Sequence, residues 1–465
     1  MTIFAISTGA GRAGIAVIRV SGPDSAAAVT SIAGPPVPQP RFAALRRFRH
    51  PSTGEELDRG LVLWFPAPQS FTGEDSAEFH IHGSRAVIEA MFEALRLLGL
   101  RLAEPGEFAR RAFQNGKLDL TEVEGLSDLI NADTAMQRRQ ALSQAGGGLR
   151  KRYESWRHSL LRAMAYVEAS LDFADEADVA EGAFSLAVPE IETLARSLRE
   201  ALADGRRGEI VREGIQVAIV GEPNVGKSSL LNALVRREAA IVFDEPGTTR
   251  DIIEVTLDLD GFPFVLRDTA GLRDTKSGVE QEGIRRALAA ADEADVILYM
   301  RDASAPHTGP LPIGEGATAS LLLLGEGQDE GRDARNKKHI AILNKIDLAP
   351  DSPAHNLGDS DKQPLRISAK TGEGIEDLNA ALIAFAKDAY GASETPLITR
   401  ARHRQELEKA LAALERFLHM ANPETASELL AEDLREAADA LSRLTGRLDV
   451  EDVLGEIFSE FCIGK

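Results

Sequence analysis

A single cysteine, Cys462, stands in 465 residues. No intramolecular disulfide can form, and a zinc site built from several thiolates is excluded. No apolar run approaches the roughly 18 residues that cross a bilayer. The opening stretch, MTIFAIS, lacks a basic segment followed by an apolar one, so the expectation is a cytoplasmic protein without a membrane span. Basic charge is also short: 53 Lys and Arg face 73 Asp and Glu, a net charge of -20. A surface this acidic argues against wrapping duplex nucleic acid over its whole area. The deficit is uneven, since residues 1–120 carry 13 basic against 12 acidic side chains. Any nucleic-acid contact is therefore expected to be local. Internal repeats and long low-complexity tracts are missing too. What is present, 43% hydrophobic and 27% charged residues, is a globular composition. At roughly 150 residues per domain, the length allows about three domains.

The texture changes along the chain. Residues 1–117 mix strand-like stretches at 15–20, 61–65 and 78–82 with a helical pattern at 87–98 that Gly99 ends, which predicts an α+β domain. Residues 118–212 are rich in Ala, Leu, Glu and Arg at helical period over 120–145, 150–170 and 189–203. From 213 to 385, strands at 215–220, 253–259, 264–267, 296–300 and 340–343 alternate with helical stretches, which predicts an α/β sheet. Helical texture returns over 386–465, at 401–420, 426–446 and 450–461. The economical reading is a multidomain α+β and α/β protein. An N-terminal α+β domain precedes a helical bundle, formed by 118–212 and 386–465, that a Ras-like P-loop domain interrupts.

The strongest motif is Gly221-Glu-Pro-Asn-Val-Gly226-Lys227-Ser228, between a strand and a helix. Glycines let such a loop wrap phosphates with its N–H groups, the lysine reaches the β and γ phosphates, and the serine hydroxyl ligates magnesium. Asn224, Val225, Gly226, Lys227, Ser228 and Ser229 are the phosphate-site candidates. Asp268-Thr-Ala-Gly271 follows a strand, so its carboxylate can hold the magnesium shell while the Gly271 N–H reaches a γ-phosphate. Asn344-Lys345-Ile346-Asp347 offers a carboxylate for guanine N1–H and N2–H2, a donor pair that adenine lacks. Ser368-Ala369-Lys370 supplies an amide for the guanine O6. Four elements in this order imply a GTPase. Between the first two elements, DEPGTTRD suits a switch loop, with Thr249 as the magnesium-sensing threonine and Thr248 as the alternative. Leu272 stands where many small GTPases carry a water-positioning glutamine, so catalysis must come from elsewhere.

GEPNVGKSSLLN, DEPGTTRD, DTAGLR, NKID and SAKTGEG, set within helical texture and followed by a terminal FCIGK, resemble the MnmE (TrmE) family of tRNA-modifying GTPases over nearly the whole chain. GRAGIAVIRVSG (11–22), FTGED (71–75), PGEFAR (105–110) and NGKLDL (115–120) match that family's folate-binding N-terminal domain. The resemblance implies GTP hydrolysis stimulated by potassium when two G domains meet. Asn224, Phe243, Glu245 and Thr248 match the potassium positions, and Glu280, with Glu282 as the alternative, falls on the catalytic glutamate. A cation beside the β and γ phosphates would neutralise developing charge as an arginine finger does.

It further implies a homodimer through the N-terminal domain, and an FAD-dependent partner of the MnmG/GidA family in a heterotetramer or larger complex. The product would be an aminomethyl or carboxymethylaminomethyl group at carbon 5 of the wobble uridine of certain tRNAs. The one-carbon donor would be 5-formyl- or methylene-tetrahydrofolate. Arg19, Glu78 and Lys117 match the folate blocks, Glu78 for pterin N–H groups and the cations for the glutamate tail. Cys462 is a candidate for the modification chemistry or for gripping folate, with packing as the alternative. Two stretches depart from the family pattern. STGAG (7–11) replaces paired prolines, and residues 301–339 are Gly-rich where a regular helix is usual.

Two basic clusters could meet RNA, Arg41 to Arg49 and Arg150-Lys-Arg-Tyr153 with Trp156 and Arg157; as ordinary solvated faces they need no ligand. His80 and His82 share one strand face at a metal-compatible spacing. A ribosome-assembly or regulatory GTPase would carry the same G motifs, usually with a KH-type RNA module, and no GXXG-bearing KH pattern stands out. A folate enzyme with a regulatory GTPase is the third reading.

Overall fold

The computed structural model describes residues 1–9, 11–172, 177–203, 206–222, 224–237, 241–242, 254–267, 290–304, 337–349, 363–390, 396–420, 428–448, 455, 457–458, 461 and 464. Contacts divide the chain into two compact units. One joins Met1–Ile130, Leu142–Glu200 and Arg402–Lys465; the other joins Asn131–Ala141 and Ala201–Ala401.

The first unit opens with six strands, β1 (Ile3–Ile6), β2 (Ala13–Ser21), β3 (Ala44–Arg49), β4 (Glu56–Phe65), β5 (Ser76–Gly83) and β6 (Arg101–Leu102), in the order β3-β4-β5-β2-β1-β6. Neighbours are antiparallel except β1 and β6. Alternation sends Ile18, Val20, Phe48, Val62, Phe79 and Ile81 into a core with Val29 and Ile32 of the helix Ser25–Ala33 and Met91 and Leu95 of the helix Arg85–Leu97. Each such side chain contributes about 2 kcal/mol by leaving water. Ser84 caps the second helix by accepting from the Val87 N–H, and Gly99 at φ 82° lets the chain turn away at its end. The helix Arg85–Leu97 lies where the apolar spacing placed it; Ser25–Ala33 and the edge strand β3 were not anticipated.

Helices Leu120–Ile130, Gly148–Asp172, Ala401–Met420 and Glu428–Leu444 follow in the same unit. Gly148–Asp172 buries Leu149, Tyr153, Trp156, Leu160, Ala163 and Val167 at alternating spacings of four and three, the seam of packed helices. Buried Glu124 ties helices together: its carboxylate accepts from Arg402 Nε at 2.5 Å and Nη2 at 2.7 Å, with His403 Nε2 at 2.9 Å. Burial works against this charge, yet Arg402 and His403 hold the carboxyl far below its ordinary range.

The helix expected over 120–145 is two helices, Leu120–Ile130 and Ala135–Ala145. Thr134 Oγ1 accepts from the Gln137 N–H while Gln137 Oε1 accepts from the N–H of Asp133 and Thr134, a capping box that starts a new helix. Part of that helix belongs to the second unit. Gln137 Nε2 donates to the Arg212 carbonyl, Gln140 Nε2 donates to that of Gly208, and the Met136 N–H donates to that of Gly261.

The second unit holds β7 (Ile215–Gly221), β8 (Ile241–Val242), β9 (Glu254–Leu259), β10 (Phe262–Arg267), β11 (Val296–Asp302), β12 (Lys338–Asn344) and β13 (Leu365–Arg366), in the order β13-β12-β11-β7-β10-β9-β8. The run from β13 to β10 is parallel, and β9 and β8 add antiparallel. Ile215, Val217 and Ile219 on central β7 are buried with Leu230, Leu231 and Leu234 of the helix Lys227–Arg237. Ligand loops of such sheets lie beyond the carboxyl ends of the strands, which is where β7 ends at Gly221. The chain is thus an α+β region and a helical bundle interrupted by an inserted α/β P-loop unit. No described helix is long and apolar enough to cross a membrane.

Candidate functional site

At the end of β7 the backbone turns through left-handed conformations at Asn224 (φ 61°) and Gly226 (φ 103°), geometry of the kind that gathers N–H groups into an anion-binding concavity. Only glycine fits the second position, because a Cβ there would lie 2.3 Å from Asn344 Nδ2. Lys227 begins the following helix, whose positive end adds to the site, and its Nζ donates to the carbonyls of Gly221 at 2.8 Å and Glu222 at 3.0 Å.

Asn344 explains how separate motifs form one site. At 2% exposure on the end of β12, it donates from Nδ2 to the Val225 carbonyl at 2.8 Å and accepts at Oδ1 from the Ala369 N–H at 2.9 Å. The phosphate loop and the loop from Ser368 onward are therefore tied through one side chain. Ser368, fully buried, donates from its hydroxyl to Asp347 Oδ1 at 2.7 Å and accepts from the Thr371 N–H, which fixes that carboxylate. Lys345, left-handed at φ 65°, donates to Asp302 Oδ2 at 2.6 Å. Burial opposes the Asp302 charge, but the hydrogen bonds from Lys345 and Ser304 hold its carboxyl below the usual range. Asn224, Val225, Gly226, Lys227, Asn344, Ala369 and the Ser368–Asp347 pair thus converge. Ser228 and Ser229 lie in the first turn of the helix, and Lys370 is exposed. Phe243, Glu245, Thr248, Thr249, Asp268, Gly271, Glu280, Glu282 and Cys462 lie outside the described residues.

A second candidate site is a cavity of about 430 Å³ in the first unit, lined by Arg19, Arg41, Phe65, Gln69, Ser70, Phe71, Ser76, Glu78 and Lys117. Arg19 on β2 and Glu78 on β5 are direct cross-strand partners, joined by an ion pair at 3.0 Å. The Arg19 guanidinium also lies over the rings of Phe71 and Phe108, 5.4 and 5.8 Å from their centroids, so the aromatic groups hold it in place. His80 Nε2 sits 3.3 Å from the other Glu78 oxygen. Lys117 donates to the Pro68 carbonyl at 3.1 Å, and Arg41, at φ 65°, donates to the Gln69 carbonyl and faces Phe65. Three cations, one carboxylate and two rings suit an anionic ligand with a flat polar ring.

Behind the cavity, Ser21 and Arg111 both donate to Glu74 Oε2, and Arg111 and Arg101 both donate to Glu107 Oε1. Glu107 is 3% exposed; burial works against its charge, yet the hydrogen bonds from Arg101, the Glu104 N–H and Arg111 hold its carboxyl below the usual carboxylate range.

Arg19, Glu78 and Lys117 thus meet at one cavity. Arg41 was grouped with an RNA-facing basic cluster, and the structure turns it into this cavity instead. Phe71 stood inside a matched block without a role, and the other lining residues carried no sequence signal. The stacking platform expected around 150–157 is corrected: Tyr153 and Trp156 are 1% and 4% exposed, and Trp156 Nε1 donates to Ser197 Oγ, so neither ring can receive a base. His82 is spent on Asp58, as His80 is on Glu78.

The chain matches the GTP-binding protein TrmE N-terminus over residues 2–117 and the MnmE helical domain over residues 120–462. The tRNA modification GTPase MnmE of Parvibaculum lavamentivorans is 53% identical over 465 residues and covers 100% of both chains. Those of Maricaulis maris and Caulobacter vibrioides are 49% and 47% identical, each covering 100% of this chain and 99% of its own length. With the N-terminal and helical matches together spanning nearly every residue, the chain belongs to the MnmE family of tRNA modification GTPases.

Proposed function

We propose that this GTPase acts in the cytoplasm with an FAD-dependent partner of the MnmG/GidA type to place an aminomethyl or carboxymethylaminomethyl group at carbon 5 of wobble uridine in certain tRNAs. The observation that carries the reading is the convergence of Arg19, Glu78 and Lys117 on one cavity, in the same chain as a phosphate loop braced by Asn344. Residues 1–117 form the folate-binding and dimerising domain on this reading, 118–212 and 386–465 the helical domain, and 213–385 the G domain. The Glu78 carboxylate accepts from pterin N–H groups, while Lys117 and the arginines hold the glutamate carboxylates. A 5-formyl- or methylene-tetrahydrofolate supplies a one-carbon unit when bound.

In the G domain, the loop from Asn224 to Ser229 holds phosphates and Asp347 reads guanine, its plane set by Ser368. Ser228 and Thr249 would hold magnesium, and Asn224, Phe243, Glu245 and Thr248 potassium, which together supply positive charge at the β and γ phosphates. Glu280 orients the attacking water, in place of the glutamine that Leu272 displaces. The terminal Cys462 takes part in the modification chemistry. GTP-driven association of two G domains in the homodimer serves as the conformational drive.

Mass spectrometry of tRNA nucleosides from cells lacking the protein tests the reading. Loss of the C5 modification is expected, whereas unaltered wobble uridines would leave only a switch GTPase. Turnover in potassium should exceed turnover in sodium at equal ionic strength, and equal rates would remove the potassium site.

A further inference from the structure

Two neighbouring rungs of the β2–β5 pair border the cavity. In one, Arg19 faces Glu78; in the next, Ser21 faces Ser76, and the period of two along each strand keeps both rungs on one face of the sheet. The first rung is charged and the second is made of hydroxyls. Ser76 lines the cavity at 5% exposure, and Ser21 and Thr72 are fully buried. A hydroxyl has one proton to give, so the directions follow by elimination. The Glu74 carboxylate, paired with Arg111, accepts only, and the Ser21 proton goes to its Oε2 at 2.8 Å. Ser21 Oγ must then accept in its 2.7 Å contact with Thr72 Oγ1, which commits the Thr72 proton. Thr72 Oγ1 in turn accepts in its 3.2 Å contact with Ser76. The other neighbours of Ser76 Oγ, the Glu74 carbonyl at 3.2 Å and Ser21 Oγ at 3.3 Å, are acceptors as well. Every acceptor in this network that the Ser76 proton can reach thus lies within the protein. Ser70, on the same cavity, also gives its proton to the Glu74 carbonyl. The serines of the cavity therefore offer a ligand oxygen lone pairs only.

We propose that Ser76 is a specificity-determining residue that selects the ligand's ring by whether one of its nitrogens carries hydrogen. The inference deepens the folate reading given above and rests on it. With Glu78 accepting from the pterin ring N3–H and exocyclic amine, Ser76, one rung away, is left for a donor on the adjoining edge of the ring system, where N8 stands. In dihydro- and tetrahydrofolates N8 bears a hydrogen and donates to Ser76 Oγ. In folic acid N8 is an aromatic nitrogen without one, and two sets of lone pairs meet in a place shielded from water. A site built to accept an N–H rejects the analogue that lacks it, because its own buried acceptor is then left unpaired. The cavity thus distinguishes reduced from fully oxidised folates through a neutral hydroxyl whose proton is committed elsewhere.

Calorimetric binding of three monoglutamyl probes to the full-length protein tests this, because the shared tail cancels in the comparison. 7,8-Dihydrofolate and 5-formyltetrahydrofolate carry N8–H and folic acid does not, while dihydrofolate, like folic acid, has no substituent on N5. The parent protein should bind dihydrofolate about tenfold more tightly than folic acid. Ser76→Ala, its fold checked by circular dichroism, should weaken both N8–H probes about fivefold and leave folic acid within about twofold. Equal affinity of the parent for dihydrofolate and folic acid would overturn the proposal without recourse to any variant. Equal losses for folic acid and dihydrofolate in Ser76→Ala, or no loss for dihydrofolate, would overturn the role of Ser76 and leave the folate reading standing. 5-Formyltetrahydrofolate following folic acid instead of dihydrofolate would overturn the assignment to N8. A parent that binds none of the three would remove the folate reading, and this inference with it.

Discussion

On the function proposed above, the nucleotide loops and the cavity solve the same task, holding an anionic ligand with a polar ring, by different means. Each nucleotide element is a short contiguous run, and two of the described loops are joined by neutral hydrogen bonds through the buried amide of Asn344. The cavity draws single residues from positions 19 to 117 and fixes its central pair with charge, Arg19 on Glu78, while Arg111 on Glu74 and Glu107 forms a further ionic cluster in the same unit. A neutral brace in the interior is nearly indifferent to salt and acid, and its loss leaves unpaired groups in a dry place. A half-buried ion pair is screened, titrates, and is cheaper to lose. The two sites should therefore fail differently.

The largest effect is expected at Asn344. Asn344→Ala strands the Val225 carbonyl and the Ala369 N–H, each costing about 1–3 kcal/mol. GTP affinity, measured by titration with a fluorescent analogue, should fall on the order of a hundredfold, at low and high salt alike. Affinity within threefold of the parent would mean that the two loops hold their places without this side chain, and the contrast between the sites would lose one side.

Contiguity also decided what could be read from sequence. The phosphate loop, NKID and SAK are legible because each element's chemistry is packed into a few neighbours whose backbone forms the site. Arg41 is not, since nothing local distinguishes a left-handed arginine that lines a cavity from one on a basic surface. Tyr153 and Trp156 were misread for a related reason. A spacing of three marks one helix face, but the basic neighbours suggested the wet face, and only packing against the other helices shows it to be the dry one. The Glu124 cluster joins residues nearly three hundred positions apart, beyond the reach of any local pattern. The helix break at 131–134 was written in the sequence, as Thr134 and Gln137 in capping positions, but the helical period on both sides obscured it.

A smaller effect is expected in the cavity. Glu78→Gln removes the charge that Arg19 and His80 share and the acceptor proposed for the pterin. Tetrahydrofolate affinity should fall about tenfold, measured by calorimetry, with GTP binding unchanged. Stability should change by less than about 1 kcal/mol, since the two side chains keep 24% and 19% of their exposure. A tenfold loss of GTP affinity in the same variant would break the separation of the two sites.

The smallest effect concerns acid. Glu107 is held below the usual carboxylate range in the fold, with Arg101, the Glu104 N–H and Arg111 outweighing its burial. At neutral pH the carboxyl is ionised whether the chain is folded or not, and its interactions contribute fully. As pH falls below about 4.5 the unfolded chain takes up the proton first, and that contribution drains away. Glu107→Gln has no such titration, so the stability gap between parent and variant should be widest at neutral pH and narrow as the solution is made acidic. Both tryptophans, Trp64 and Trp156, lie in the first unit, so urea unfolding followed by tryptophan fluorescence reports on this unit and not on the nucleotide unit. Parallel curves for parent and variant across that window would show that charge does not hold the support behind the cavity. Its packing alone would then fix Arg111 and Glu74, and the cavity would be braced as the nucleotide loops are.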